Sequence, residues 1–540
     1  MLISDFKGMV PAKSEVLPLN YARTAINCDF TSGELRPGPG TEPEITIPKT
    51  GDIRTIYKIG ANWIYWTEKV SIARAVTSTD RRQIYFAGDS YPRITDESMA
   101  TAGSPPDYPV DTHRMGVTAP TNAPALAISK IEPSQGYGDV IEPVAYVYTC
   151  LARVRDGYVI EGGVSPPSVV VDAKKNMKLT VSGLTPPLGA THAGYRLYRM
   201  RAGSDATFRA VPFGLDGAGK PIYDIPPTET EFVDVDTSTS SIKLSLGEVC
   251  ETEEWAVFPD ATESLIEYQN SMVIGLCGNE IIPSAPLYQY PAIISQALAN
   301  TRETVGGRAY GDVAIITTDE RPLVLSGSGP GDLMLTKLPF DQGCLSERGM
   351  VVVESGVYYP SPEGMVFCDG AVAVPATKDL WRQEQWAALG PERLISLYHD
   401  AVLYLFFEGL PSGIVWDFKN EYISTIDVGH PVYHGHVVDD GLYLLVHDTD
   451  YKVVKLGGTQ NYTWGTSWTG PNRPSPSLIR IDGDFNNKSV MVTITADNQM
   501  FSRIVTSSSP VAIKSMRGRE ITLTLSGNAP IKAVELDRTI

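Results

Sequence analysis

The sequence has little of what several classes of protein require. Its 45 lysines and arginines face 63 aspartates and glutamates, a formal net charge of -18. A protein that grips nucleic acid by neutralising phosphates needs at least a local basic excess. The tightest basic clusters, among them Arg81-Arg82, Lys174-Lys175 and Arg517–Arg519, are short and typical of surface turns. Tight DNA binding is therefore not expected, although DNA passing without sticking remains compatible with the charge.

Long apolar runs are also missing. No run of about 18 apolar residues occurs, so we expect no membrane span. The first fifteen residues lack the apolar stretch of a secretory leader, and we expect none there.

Cysteine is sparse and widely spaced. The six cysteines are never closer than the 24 residues that separate Cys344 from Cys368, so there is no CxxC and no zinc-ribbon spacing. Several lie in apolar runs, as Cys150 and Cys277 do. We expect buried free thiols in a protein made in a reducing cytosol.

The residues that are abundant favour an all-β protein. The 540 residues include 48 glycines, 40 prolines and 26 tyrosines, and turns alternate with short aromatic and β-branched runs. This length requires several domains, or one repeat architecture with appendages.

A short unit recurs in the second half of the chain. Each copy is a polar turn followed by a strand rich in Val, Leu and Tyr, and successive turns are 50, 35, 44 and 41 residues apart. This is the length of a propeller blade, and blades stack radially around a channel. The turn residues counted are Ser271, Arg321, Gly356, Asp400 and Gly441.

Composition and strand spacing divide the chain into four parts. Residues 1–118 are predicted to hold an N-terminal segment and the first blade, and residues 243–468 the remaining blades. Residues 119–242 show about seven evenly spaced strands with Pro-rich edges, typical of an inserted immunoglobulin-like or fibronectin-like sandwich. Residues 469–540 are predicted to form a small C-terminal β domain. The best helix candidate is residues 378–386, which are rich in helix formers.

The insertion is expected to fold by itself. Its alternating strands predict a core of Tyr146, Tyr148, Leu151 and Leu197, with Cys150 as a further candidate.

Four histidines cluster in sequence, at positions 430, 434, 436 and 447. His434 and His436 lie on the same face of a predicted strand and could chelate zinc. No acidic or thiol ligand stands at a regular offset, and strand surfaces often carry histidine. We predict no metal site here.

Two further motifs fail at the positions that define them. The segment Asp482–Asn486 begins like a calcium loop, but Asn487 and Thr493 replace the required Gly and Glu. The loop Ser326–Gly331 lacks the Lys-Ser/Thr of a phosphate loop, and Pro330 removes an amide donor.

Carboxylate pairs of the kind that glycosidases use are not evident either. Acidic turns such as Asp439-Asp440 do not recur in register between blades, and the dipeptide Trp416-Asp417 occurs once. The sequence therefore predicts no catalytic residue, no metal and no cofactor.

Several stretches together resemble tail proteins of tailed bacteriophages. The N-terminal pattern leads into the first blade in those proteins, and the inserted domain, the blade segments and the C-terminal end are similar as well. The stretches are Asp5–Pro11, Leu17-Pro18, Ala22, Ala25, Asn27 and Ser32–Pro37, then Tyr195–Arg199, Leu325–Gly327, Cys344–Ser346, Tyr359–Gly364 and Leu523–Ile531.

The resemblance implies a tail nozzle, a virion structural protein without catalytic residues. Such a protein forms a homo-hexameric ring of propeller subunits at the distal end of a short tail, around the channel through which the genome leaves. It is made in the bacterial host cytoplasm, and its partners are an adaptor or tube, fibres, and a tail tip or plug.

Viral DNA would pass this ring without tight binding. Acidic residues of blade turns, Glu354, Asp439 and Asp440, are candidates for the channel wall, because repulsion keeps phosphates from sticking. The same turns could equally keep an outer surface soluble.

Two other functions stay open. One is a receptor-binding or fibre-attachment protein, which would show an exposed Tyr/Trp-rich loop face and trimeric symmetry. The other is a glycan-processing propeller, which would show two carboxylates converging on one mouth.

Overall fold

The structure is a computed structural model of the 540-residue chain. It describes residues 1–13, 18–75, 82–105, 108–155, 157–201, 207–236, 246–469, 476–514, 516 and 518–537. Leu17, Arg81 and Arg517, which the sequence analysis named, lie outside these residues, as do positions 237–242 of the predicted insertion.

The N-terminal part is built from short strands. A single helical turn, α1 (Glu97–Ala100), is capped by the side chain of Asp96, which accepts from the Met99 amide at 2.9 Å. The strands are β1 (Leu2–Ser4), β2 (Lys7–Met9), β3 (Tyr21–Ala22), β4 (Thr24–Ile26), β5 (Cys28–Asp29), β6 (Arg36–Pro37), β7 (Gly40–Thr46), β8 (Thr55–Ile59), β9 (Asn62–Trp66), β10 (Ser71–Arg74), β11 (Ile84–Ala87), β12 (Arg93–Thr95) and β13 (His113–Arg114).

Strands of the next part form two larger sheets, β14-β18-β24 and β16-β15-β19-β20, with β17 and β23 attached to the second, and β21 and β22 form a separate two-stranded sheet. Their bounds are β14 (Ala125–Lys130), β15 (Val140–Arg155), β16 (Tyr158–Val164), β17 (Val171–Lys174), β18 (Met177–Ser182), β19 (His192–Arg201), β20 (Phe208–Ala210), β21 (Gly214–Leu215), β22 (Pro221–Ile222), β23 (Asp224–Ile225) and β24 (Glu231–Asp236).

Four four-stranded meanders follow, and then the first three strands of a fifth sheet. The strands are β25 (Ser264–Tyr268), β26 (Met272–Cys277), β27 (Glu280–Pro283), β28 (Leu298–Ala299), β29 (Thr304–Tyr310), β30 (Val313–Thr318), β31 (Pro322–Ser326), β32 (Met334–Lys337), β33 (Val351–Val353), β34 (Gly356–Ser361), β35 (Gly364–Cys368), β36 (Ala373–Pro375), β37 (Leu394–His399), β38 (Val402–Phe407), β39 (Ser412–Asp417), β40 (Tyr422–Asp427), β41 (Val432–Val438), β42 (Gly441–His447) and β43 (Tyr451–Gly457).

The predicted helix at residues 378–386 begins later than expected. Turns occupy residues 376–380, and α2 spans Gln383–Leu389, with Gly390 ending it at a left-handed φ of 77°. Trp386 fixes the helix to the propeller, because its indole N–H donates to the carbonyl of Ser361 at 2.8 Å.

The C-terminal part is again all strand. Its strands are β44 (Tyr462–Thr469), β45 (Leu478–Gly483), β46 (Val490–Ala496), β47 (Gln499–Val505), β48 (Val511–Ala512), β49 (Glu520–Gly527) and β50 (Ile531–Asp537).

Seven sheets form a closed ring in the described part of the chain. In chain order they begin with the inner strands β8, β10, β25, β29, β33, β37 and β41. A separate apolar core lies between each pair of neighbouring sheets, including the last sheet and the first. Sheets buried on both faces need nearly continuous apolar strands, and Leu442–Val446 of β42 is such a run, entirely buried. The chain is therefore an all-β propeller with an inserted sandwich and a C-terminal β domain.

The ring is closed by the N-terminal segment. β7 pairs antiparallel with β43 and supplies the outer strand of the seventh sheet. Hydrogen bonds between this N-terminal strand and the last strand of the propeller thus hold the ring closed.

The repeat has a more even spacing than the sequence suggested. The turn at Arg321 lies between the second and third strands of its sheet, whereas the other four turns lie between the first and second. The equivalent turn in that sheet is at Asp312, between β29 and β30. With Asp312 in place of Arg321 the steps become 41, 44, 44 and 41 residues.

The inserted sandwich is anchored to the propeller. Arg155 pairs with Asp96 at the start of α1, and the Glu161 amide donates to the Tyr290 hydroxyl at 3.3 Å. The buried residues of the sandwich and those of the second and third sheets form one continuous core.

The C-terminal sandwich contains strands from both ends of the chain. β1 pairs with β50, and β4 lies between β40 of the sixth sheet and β44, so one sheet runs from propeller to sandwich. The sequence analysis assigned residues 1–118 to a segment leading into the first blade, and did not foresee that β1–β4 pack in this second core.

Candidate functional site: the central channel

The inner strands of the seven sheets surround a cavity of about 1080 Å³. Neighbouring inner strands run in the same direction. Ser71 and Ser264, where β10 and β25 begin, lie 3.3 Å apart by their hydroxyl oxygens, and Arg74 pairs with Glu267 at 3.2 Å where the two strands end. The channel therefore has one mouth where inner strands begin and another where they end and turn outward.

The second opening, called here the turn mouth, carries exposed carboxylates. The turns that follow β29, β33, β37 and β41 in four successive sheets hold them: Asp312, Glu354, Asp400, Asp439 and Asp440. Among them are Glu354, Asp439 and Asp440, which the sequence analysis named as candidates for the wall of a ring's DNA channel, a different channel from that of the single propeller. Asp439 and Asp440 line the cavity, while Glu354 stands beside the mouth, where its carbonyl accepts from the Tyr310 hydroxyl at 3.4 Å.

Asp440 is held by neighbouring groups. It pairs with Lys58 at 3.3 Å and with Lys455 at 3.6 Å, and the Tyr443 hydroxyl donates to it at 2.7 Å. The hydroxyl of Tyr443, helped by Lys58, holds the pKa of Asp440 below its ordinary value. This carboxylate is therefore fixed in place and ionised.

The wall of the cavity itself carries both signs of charge. Its cations are Lys58, Lys69, Arg74, Arg82, Arg308 and Arg348, and its carboxylates are Glu267, Glu347, Asp439 and Asp440. The wall is therefore of mixed charge, whereas the blade turns at the turn mouth carry several exposed carboxylates.

The first mouth, called here the bridged end, is spanned by side chains. A 3₁₀ turn at Glu347–Gly349, just before β33, reaches across the axis. Arg348 donates to the Tyr433 carbonyl at 3.2 Å and to the Thr55 hydroxyl at 2.8 Å, which belong to the seventh and first sheets. Glu347 accepts from Ser264 of the third sheet at 2.6 Å.

Sequence reasoning missed Glu347 and Arg348. Both stand in a short polar stretch, Ser346–Gly349, that has no periodicity and no motif. Only the circular arrangement of the sheets brings their distant partners within reach.

The four histidines of the sequence analysis are partly buried. The Nδ1 atom of His434 accepts from the Ile56 amide at 3.3 Å, and His436 packs on Tyr57 with ring centroids 4.6 Å apart. Burial lowers the pKa of His434 well below its ordinary value and that of His436 to about 4. His447 packs against Tyr451 with the two rings tilted by 54°. Among the residues that the structure describes, no three His, Cys, Asp or Glu side chains are placed to hold a metal ion.

The glycine-rich loop at residues 326–331 is an Asp-capped turn. The amides of Ser328 and Gly329 donate to the Asp332 carboxylate at 3.1 and 2.6 Å. These two amides therefore already have an acceptor within the chain. In the segment 482–486, the Asp484 carboxylate accepts from the Asn486 amide at 3.2 Å, another local turn.

All six cysteines are free thiols, and five of them are buried. Burial raises the pKa of Cys344 and of Cys250 to about 11 and that of Cys150 to about 12. At neutral pH these thiols are protonated and unreactive.

No helix in the described ranges has the length and apolar character needed to cross a membrane.

No family model matches the chain, and no curated protein matches it. Solved structures do. BamB from Moraxella catarrhalis is 10% identical, with 62% of this chain and 99% of that one covered, at a TM-score of 0.26. The Pan2 WD40 domain from Neurospora crassa is 7% identical, with 52% of this chain and 84% of that one covered, at a TM-score of 0.27. Glutaminyl cyclase from Myxococcus xanthus is 11% identical, with 36% of this chain and 91% of that one covered, at a TM-score of 0.22. At such scores, function has to be inferred from the residues of this chain.

Proposed function

We propose that the chain is a structural subunit of a phage tail, the nozzle whose six copies form a ring around the path of the ejected DNA. The N-terminal residues that resemble phage tail proteins carry this proposal. In the structure these residues join the C-terminal sandwich to the propeller.

Several described residues of the N-terminal pattern have a structural role at this junction. Phe6, Ala22 and Leu35 are buried in the core of the C-terminal sandwich. Gly8 lies against the backbone of β40, and a Cβ atom there would stand 2.2 Å from the Ile423 carbonyl oxygen. Asn27 adopts a left-handed φ of 55°, and its side-chain oxygen accepts from the Asp427 amide at 2.7 Å. The pattern therefore describes a rigid joint between two domains, which suits a load-bearing subunit.

The bridged end bears on the proposed route of DNA. Because Arg348 and Glu347 connect opposite sides of the propeller, a duplex would pass through the lumen between subunits and not along the axis of one propeller. Six copies would carry six times -18 formal charges. Acidic turn-mouth residues that face this lumen would repel phosphates and keep DNA from sticking.

The proposal includes no catalytic role. Three wall carboxylates are engaged by cations: Glu267 by Arg74, Glu347 by Arg308 and Asp440 by Lys58. A glycosidase needs one carboxyl kept protonated and another free to act as nucleophile or base. Hydrolysis of host polysaccharide by the purified protein, lost on substitution of one Asp or Glu, would overturn this part of the proposal.

The mass of the purified assembly tests the ring. We expect native mass spectrometry at near-physiological salt to show six copies of the 58.7 kDa chain. A trimer would favour the receptor-binding or fibre-attachment alternative. A monomer at every concentration up to about that found in a virion would contradict both.

A further inference from the structure

The bridged end of the channel holds a half-buried cation whose hydrogen-bond donors are not all used. The guanidinium of Arg348 has five N–H groups. It donates to the Tyr433 carbonyl and the Thr55 hydroxyl, both uncharged acceptors, and it lines the cavity. No carboxylate of the described residues lies within ion-pair distance of it.

The two carboxylates that approach Arg348 are already occupied. Glu408 accepts from Arg54 at 2.9 Å and from Lys69 at 2.7 Å. Glu347 accepts from the Ser264 hydroxyl at 2.6 Å and pairs with Arg308 at 3.4 Å.

A count of these groups leaves one positive charge in excess. Arg54 has a second partner, Asp52, at 3.1 Å. Four cations therefore stand against three carboxylates: Arg54, Lys69, Arg308 and Arg348 against Asp52, Glu347 and Glu408.

His434 adds a neutral donor beside Arg348. Burial, with the nearby charge of Arg348, holds the pKa of His434 well below its ordinary value, so the ring is neutral. Because its Nδ1 atom accepts from the Ile56 amide, the proton resides on Nε2. His434 lines the same cavity.

We propose that the bridged end of the channel binds the anionic oxygen group of a small molecule, a carboxylate or a phosphate, between the Arg348 guanidinium and the Nε2–H of His434. The planar guanidinium matches two oxygens of such a group in parallel hydrogen bonds. Burial lowers the pKa of Arg348 to about 10, because the charged guanidinium is poorly compensated where it lies. A bound anion would supply the missing countercharge. This site is independent of the ring proposed above.

Thermal unfolding of the full chain in the presence of anions tests the site. We expect inorganic phosphate or malonate to raise Tm saturably by a few degrees relative to chloride at equal ionic strength, because a ligand that binds only the folded state stabilises it. The anion that gives the larger shift in Tm, phosphate or malonate, identifies the class of ligand. The shift should vanish in R348Q and persist in R302Q, since Arg302 is an exposed cation that pairs with Asp319 and Glu320.

Two outcomes would overturn the proposal: no saturable shift in the wild type with either anion, or an equal shift in R348Q. If R348Q does not fold, calorimetric titration of R348K with the better anion replaces it, because lysine keeps the charge and loses the planar fork. Binding at least about tenfold weaker supports the site, and unchanged affinity contradicts it.

Discussion

At the scale of single residues, the inserted sandwich depends on one buried ion pair. The side chains of Arg199 and Asp234 are both fully buried and meet at 2.7 Å, and the Tyr146 hydroxyl donates to the same carboxylate oxygen at 2.6 Å. Burying two charges is expensive, and losing one partner leaves the other uncompensated. The pair therefore makes the sandwich sensitive to substitution at either position.

Replacing Asp234 by Ala should destabilise the sandwich by about 3 to 5 kcal/mol, because an unpaired arginine would remain in the core. Amide hydrogen exchange in β15, β19 and β24 of the full chain should accelerate more than about 100-fold, as each 1.4 kcal/mol is a factor of ten. D139N, at an exposed pair with Lys175, is the matched control and should change exchange little. Equal exchange in the two variants would show that the pair contributes nothing.

His436 should make the propeller sensitive to acid. Burial, and then the charges of Arg74 and Lys58, lower its pKa to about 4, below the 6.5 of an unfolded chain. Between pH 6.5 and 4 the imidazole of His436 is protonated in the unfolded state and neutral in the folded state. The contribution of His436 to the free energy of unfolding is therefore complete above pH 6.5 and is lost as the pH falls towards 4. The slope is about 1.4 kcal/mol per pH unit.

The variant H436F removes this proton and keeps a ring against Tyr57. We expect its acid-unfolding midpoint, followed by tryptophan fluorescence, to move to lower pH by about half a unit. H399Q is the control, because His399 pairs with the exposed Asp400 at a blade turn. An identical midpoint for wild type and H436F would mean that His436 does not govern acid stability.

At the scale of elements, the N-terminal strands matter more than their short lengths suggest. β1 and β4 belong to the C-terminal sandwich, and β7 closes the propeller. β2 lies on β40, where Gly8 permits the close approach of the two backbones. One segment thus connects two domains and both ends of the chain.

Replacing Gly8 by Ala should loosen this joint. The added methyl has no space against the Ile423 carbonyl, and overpacking of this kind costs about 1 to 3 kcal/mol. We expect a lower Tm and a smaller yield of the assembled ring by size-exclusion chromatography. G217A is the control, since nothing lies within 4 Å of a Cβ atom at that exposed turn. If G8A matches G217A in both measurements, the joint has no mechanical importance.

Local patterns predicted the elements and could not predict their long-range partners. The turns at Gly356, Asp400 and Gly441 have clear sequence signals, and each lies at or just before the start of a strand in the structure. The pairing of Ile3 with Val534 has none, because strands separated by more than 500 residues share no periodicity. Arg348 was missed for the same reason. Independent folding of residues 119–242 stays a prediction.

At the scale of the whole molecule, the structure is a rigid frame with two differing ends. Seven inter-sheet cores hold the propeller, and charged side chains bridge one end of its channel. At the other end, the turns of four successive sheets carry exposed carboxylates. A frame with these properties suits a ring subunit that bears load and repels DNA.

Electron cryomicroscopy of the virion tail tests the central claim most directly. The account predicts a six-fold ring of this chain at the distal end of the tail, with the turn-mouth carboxylates Glu354, Asp439 and Asp440 facing the lumen and the propeller axes bridged. Copies arranged with three-fold symmetry on fibres, a lumen wall dominated by lysine and arginine, or absence of the chain from the tail would contradict it.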